Sequence, residues 1–192
     1  MVETPSTMLP LGTPAPTFRL PGGDGKDVSL DDFPGARGYL VMFICNHCPF
    51  VKHIRPALAA LASRLQSLGV AVVAINANDA GKYPADSPER MKEEAAAAGY
   101  TFPYLFDESQ QTAKAYMAAC TPDFFLFGPD RLLAYRGRMD ASRPGANIPA
   151  TGEELMAAAE AILAGRQPSA DQKPSVGCNI KWKPGNEPEY FR

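Results

Sequence analysis

Short stretches that are apolar at every position alternate along the chain with longer ones whose apolar residues recur at three- and four-residue steps. Residues 39–44 (YLVMFI) follow Gly38 without a polar break, and residues 70–75 form a second such run. Runs of this length and kind predict strands buried on both faces. Between them Val51, Ile54, Leu58, Leu61 and Leu65 fall on one face of a helix that starts at residue 48 and ends near Gly69. Pro56 should kink it or sit near its first turns. Ser87-Pro88 supplies a cap and a first-position proline for a second helix, which Gly99 closes. Residues 104–106 predict a short strand, 109–119 a helix, 124–127 a strand and 132–138 its antiparallel return across the turn 128–131. Residues 152–163 predict a closing helix. Upstream, 18–20 and 26–30 flank Pro-Gly-Gly-Asp-Gly and predict a hairpin. Residues 1–16 are read as an extended lead-in and 166–192 as a Pro/Gly-rich tail.

Strands alternate with helices as far as residue 119, and a hairpin and a last helix follow. That order implies one α/β domain over residues 1–192 with a mixed central sheet. A chain of 192 residues, 45% hydrophobic and 21% charged, has core enough to stand alone. Its 19 basic and 21 acidic residues give a net charge of −2, which leaves no electrostatic footprint for nucleic acid. No Lys or Arg precedes Arg19 and no long apolar stretch follows, so neither a secretory leader nor a membrane span is expected, and the expected location is cytoplasmic. In a reducing compartment the four cysteines are expected to be catalytic, metal-binding or inert core thiols before structural disulfides.

Cys45-Asn-His-Cys48 stands where the first strand gives way to the first helix. The free N–H groups and positive dipole end of a helix favour thiolate over thiol. The spacing therefore predicts a nucleophile, Cys45, ionised because it caps the helix, and a resolving thiol, Cys48, one turn on. His47 is expected to stabilise the reduced form and to raise the potential above the roughly −270 mV of thioredoxin. No dissociable cofactor and no metal are expected for such chemistry, although a bare pair at this spacing also suits zinc. His53 is read as an ordinary helix residue, and Asn76, Asn78 and Asp79 as capping and turn residues.

The order strand, Cys45-Asn-His-Cys48-Pro49, helix, and later Thr121-Pro122 before a strand hairpin resembles the thioredoxin fold. Residues 12–20 and 28–33 resemble its redoxin and thiol-specific antioxidant branch. The resemblance implies a three-layer α/β/α sandwich with an N-terminal hairpin extension. It implies a thiol–disulfide oxidoreductase, serving redox homeostasis, that acts on disulfide-containing or dithiol proteins and draws on a thiol donor such as a thioredoxin-reductase-type system. Pro122 matches the family's cis-proline, which with Thr121 would dock the substrate as a strand. The tail around Cys178 resembles that of a set of bacterial thioredoxin-like proteins. Two departures stand out: Ile44 replaces thioredoxin's tryptophan, with Trp182 a minor candidate for its shielding role, and no buried acid stands near Tyr39. Peroxiredoxins would align their peroxidatic cysteine with Cys48, but Cys45 and Val41 stand where that pattern needs Thr or Ser and proline. A thiol-dependent peroxidase is thus the alternative, and a copper- or zinc-binding metallochaperone a more distant one. Cys120, beside Thr121, and Cys178 in the tail form a candidate second redox pair.

Overall fold

The computed structural model describes residues 3–191. In chain order its elements are β1 (Glu3–Pro5), β2 (Leu20–Pro21), β3 (Asp27–Val28), β4 (Gly38–Phe43), α1 (Pro49–Ser67), β5 (Val70–Asn76), α2 (Pro88–Ala98), β6 (Tyr104–Phe106), α3 (Gln111–Ala115), β7 (Cys120–Thr121), β8 (Asp123–Phe127), β9 (Leu133–Gly137), α4 (Glu153–Leu163) and β10 (Val176–Asn179). Five strands make the central sheet in the order β6-β5-β4-β8-β9. Parallel pairing joins β4, β5 and β6, and antiparallel pairing joins β4, β8 and β9. The sheet is mixed, as expected, and no helix among the described residues is long and apolar enough to cross a membrane.

Every residue of β4 and β5 is buried, because the two strands are central and covered on both sides. Alternation divides β4 between two cores. Leu40 and Met42 join Val51, Leu58 and Leu65 of α1 and Leu155 of α4 on one face. Val41 and Phe43 join Phe125, Tyr116 and Trp182 on the other. The second core rests on stacked aromatics: Phe125 meets Phe43 edge-on at 5.9 Å and Tyr116 at 5.6 Å. The predicted hairpin forms between β2 and β3.

Two expectations change. The helix expected over 109–119 is confined to α3, because Met117 takes a left-handed φ of 50° and the chain leaves the helix there to extend into β7. The lead-in and tail are not loose ends either: β1, β10 and β7 form a second sheet in which residues 3–5 pair with 176–178. Apolar anchors explain the tail's return, since Ile180 and Trp182 are buried in the second core. Polar groups fix its path. Asn78 Oδ1 accepts from the Lys181 N–H, and Gln110 Oε1 from the Lys183 N–H. Asn78 therefore serves the tail rather than only its own turn.

Truncating Phe125 should leave a cavity against two aromatic neighbours. Phe125→Ala is expected to cost about 3–5 kcal/mol, read as a lowered urea midpoint at an unchanged slope.

Candidate active site

Pro49 determines where α1 begins. Proline lacks the N–H that a first helical position would waste and disfavours helical backbone in the residue before it. Cys48 is accordingly the N-cap, extended at φ −66° and ψ 123°. This corrects the expectation for Cys45, which lies three residues before the cap and does not start the helix. Both sulfurs are buried: Cys45 is 2% exposed and Cys48 is 0% exposed.

Thr121 ties the two together. Its hydroxyl contacts the Cys45 sulfur at 3.3 Å, and while Cys48 is protonated its thiol donates to the Thr121 carbonyl at 3.2 Å. The Thr121–Pro122 peptide bond is cis. Cys45 also hydrogen-bonds to Cys48, which pushes the Cys48 thiol down to about 5 despite its burial. Donation from Cys178 and Thr121 and the approach of the Val51 N–H add to this effect. The Cys45 thiol moves well up instead, because its proton is held by Cys48, burial disfavours its charge, and Asp86 is anionic nearby. The first negative charge of the pair thus rests on Cys48, with Cys45 as a donor to it.

The Asn46-His47 loop is fixed by residues that sequence reasoning missed. Asp86 is fully buried at its side chain and accepts from the Asn46 N–H at 2.8 Å and from Asn78 Nδ2 at 2.8 Å. The His47 Nδ1 lies 2.6 Å from the same carboxylate. Burial pushes Asp86 up, but the hydrogen bonds from His47 and Asn78, the His47 charge and the Asn46 N–H outweigh it and hold it below the usual carboxylate range. An ionised carboxylate only accepts, so Nδ1 carries the proton and donates it. Tyr83 stacks on His47 with ring centroids 5.5 Å apart. Tyr104 donates to Asn46 Oδ1 at 2.9 Å. The one sequence signal for Asp86 is its place just before the Ser87 cap.

Cys45 Sγ, a His47 ring nitrogen and an Asp86 oxygen all lie within 4.8 Å of one another, the one group among the described residues with the donor atoms of a metal site. The His47–Asp86 hydrogen bond already engages two of those three donors. His53 lies beside Pro122, Phe50, Arg143 and Val176 in a groove next to the pair.

The expected docking edge at Thr121 is occupied: Cys178 of β10 pairs with Thr121, and Asn179 with Cys120. This register also corrects the expected Cys120–Cys178 pair. Partners across a sheet share a face and neighbours along a strand do not, so Cys178 faces with Thr121 into the core that holds Cys45 and Cys48. Cys120 faces away, its thiol 3.7 Å from the Pro122 carbonyl. Trp182 packs against Tyr190 in the opposite core and shields no sulfur of the pair.

The model of the AhpC/TSA family matches residues 11–136. Two curated relatives are similar over part of the chain. One, from Mycobacterium tuberculosis, is named as a putative peroxiredoxin and is 30% identical over 60% of this chain and 68% of that protein. The other is the thiol-disulfide oxidoreductase ResA of Geobacillus thermodenitrificans, 28% identical over 64% of this chain and 66% of that protein. Among solved structures, an uncharacterized conserved protein of Geobacillus kaustophilus is 53% identical with a TM-score of 0.94, covering 96% of this chain and 98% of that one. The thioredoxin domain of a Bacteroides vulgatus thiol-disulfide oxidoreductase shares the fold at 17% identity and a TM-score of 0.59, covering 77% of this chain and 96% of that one.

Two measurements check this electrostatic arrangement. Thiolate absorbance of the reduced protein should show one sulfur ionising with an apparent pKa of about 5, assigned to Cys48 by its loss in Cys48→Ser. Asp86 is depressed in the fold, so its stabilisation is present above the unfolded carboxylate range and lost as pH falls through the native value. Asp86→Asn should therefore cost about 1–3 kcal/mol near neutral pH, with the gap to the parent closing on acidification.

Proposed function

The chain belongs to the AhpC/TSA family, and from that premise we propose that it is a thiol–disulfide oxidoreductase whose Cys45 and Cys48 cycle between dithiol and disulfide. The observation that carries this reading is the hydrogen-bonded pair of sulfurs, with the first charge on Cys48 and the His47–Asp86 dyad beside Cys45. The names of the ResA and Bacteroides vulgatus relatives agree with it.

The roles follow from leaving-group chemistry. A substrate thiolate attacks Cys45 in the Cys45–Cys48 disulfide, and the S–S bond breaks toward Cys48. A sulfur of low pKa leaves readily, and Cys48 is the low one of the pair. A second substrate thiol, giving up its proton, attacks the substrate sulfur of the mixed disulfide and releases Cys45, which takes up a proton. The substrate dithiol has become a disulfide and the enzyme disulfide a dithiol, and every step reverses. His47 supports the proton uptake at Cys45 from within 4.8 Å, and Asp86 positions its ring. The groove at Pro122 receives the partner's backbone, with Arg143 at its rim. The substrates are disulfide-containing or dithiol proteins, and in the direction that reduces a substrate disulfide a thiol reductant restores the enzyme dithiol.

A second reading has one observation in its favour. Cys48 is an N-cap sulfur followed by proline and lowered in pKa, the position expected of a peroxidatic thiolate. Peroxide would convert it to a sulfenic acid, and a neighbouring thiol would then displace water to form the disulfide. Complete burial of Cys48 disfavours it.

Reduction of insulin by dithiothreitol tests the main reading. Wild type should accelerate precipitation, Cys45→Ser should fall to the uncatalysed rate, and Cys48→Ser should accumulate a mixed disulfide on Cys45. An unimpaired Cys45→Ser would remove the proposal. The Cys45–Cys48 potential, from glutathione equilibration, should lie above about −270 mV and drop in His47→Ala. Peroxide consumption no faster than that of a free thiol would dispose of the second reading.

A further inference from the structure

The site holds three sulfurs rather than two. Cys178 is set beside Thr121 by the β7–β10 pairing, and Thr121 is the residue that contacts Cys45 through its hydroxyl and Cys48 through its carbonyl. Cys48 hydrogen-bonds to Cys45 and also to Cys178, so it lies between the other two thiols. All three belong to one buried cluster. Nothing about this placement is loose. A Cβ on Gly177 would stand 2.0 Å from the Thr121 carbonyl oxygen, so β10 seats against β7 at a distance only bare backbone permits. Downstream the Asp79 N–H donates to the Lys181 carbonyl at 2.8 Å, and upstream the Ser175 N–H donates to Ser6 Oγ at 3.0 Å.

We propose that Cys178 is a third redox thiol, which exchanges with the pair by attacking Cys48 and converting the Cys45–Cys48 disulfide into a Cys48–Cys178 disulfide. This rests on the reading that Cys45 and Cys48 form a disulfide in turnover. The step needs no external oxidant. The Cys178–Cys48 bond forms as the Cys48–Cys45 bond breaks, and the proton lost by Cys178 ends on Cys45. In the reduced protein, burial and its hydrogen bond to Cys48 push the Cys178 thiol up to about 12. The outcome is a chain that keeps its oxidising equivalent buried at Cys48–Cys178 while Cys45, the sulfur beside His47, returns to the thiol state. Cys120, on the other face of β7, takes no part.

The test maps disulfides by mass spectrometry after acid quench and alkylation, with diamide as the oxidant. In a Cys120→Ser background, Cys45→Ser should close an intramolecular Cys48–Cys178 bond, and Cys178→Ser should close Cys45–Cys48. Wild type given one equivalent of diamide should show both linkages without any substitution. Gly177→Ala, which keeps every cysteine but unseats β10, should slow the Cys48–Cys178 linkage about ten-fold or more through lost proximity and leave Cys45–Cys48 formation in place. Two alkylatable thiols or intermolecular dimers in the Cys45→Ser variant, with wild type showing Cys45–Cys48 alone, would overturn the third-thiol proposal and leave the earlier reading intact. Failure of the Cys178→Ser variant to close Cys45–Cys48 would instead sink the reading beneath it.

Discussion

Thr121 presents its hydroxyl to one cysteine, its carbonyl to a second and its strand edge to a third. One residue can do this because it stands where two sheets meet. On one side β8 continues into the central sheet; on the other β7 is held by the returning tail. Moving β10 would change which sulfurs can touch and would bare the backbone edge beside the pair.

A negative charge on a sulfur that is 0% exposed requires donors, since burial alone disfavours it. Cys48 has two thiols beside it and stands at the start of a nineteen-residue helix. A few residues away, Asp86 is a second buried anion with its own set of donors. The loop from residue 45 to 48 therefore runs between two anionic centres, and the His47 ring N–H donates to one of them, Asp86. That arrangement explains why Asn46 and His47 stand between the cysteines: Asn46 supplies a backbone donor to Asp86 and its own amide to the Ala85 carbonyl, and His47 supplies the ring.

The sheet could be read from the sequence because its signals are local. Continuous apolar runs marked β4 and β5, and a Ser-Pro start with a glycine stop marked α2. The Cys45-x-x-Cys48 pair and Thr121-Pro122 were equally visible, each a short motif with its chemistry in the residues themselves. What stayed hidden depends on register. Whether Cys178 meets Cys120 or Cys48 turns on a one-residue offset between β7 and β10, and alternation reverses the face with each step. Asp86 was hidden because its partners are distant in the chain. The cap misassigned to Cys45 had a local signal that outranked the general expectation, since Pro49 put the cap on Cys48.

The pairing of residues 3–5 with 176–178 ties two distant segments together beside Cys45 and Cys48. β10 follows β7 far along the chain, so its pairing forms only once that segment has been synthesised. Until then Cys48 lacks one of its neighbours and the edge of β7 is open. The complete sulfur triad thus waits on β10, and a nascent chain that stops short of it carries the Cys45–Cys48 motif without the third thiol.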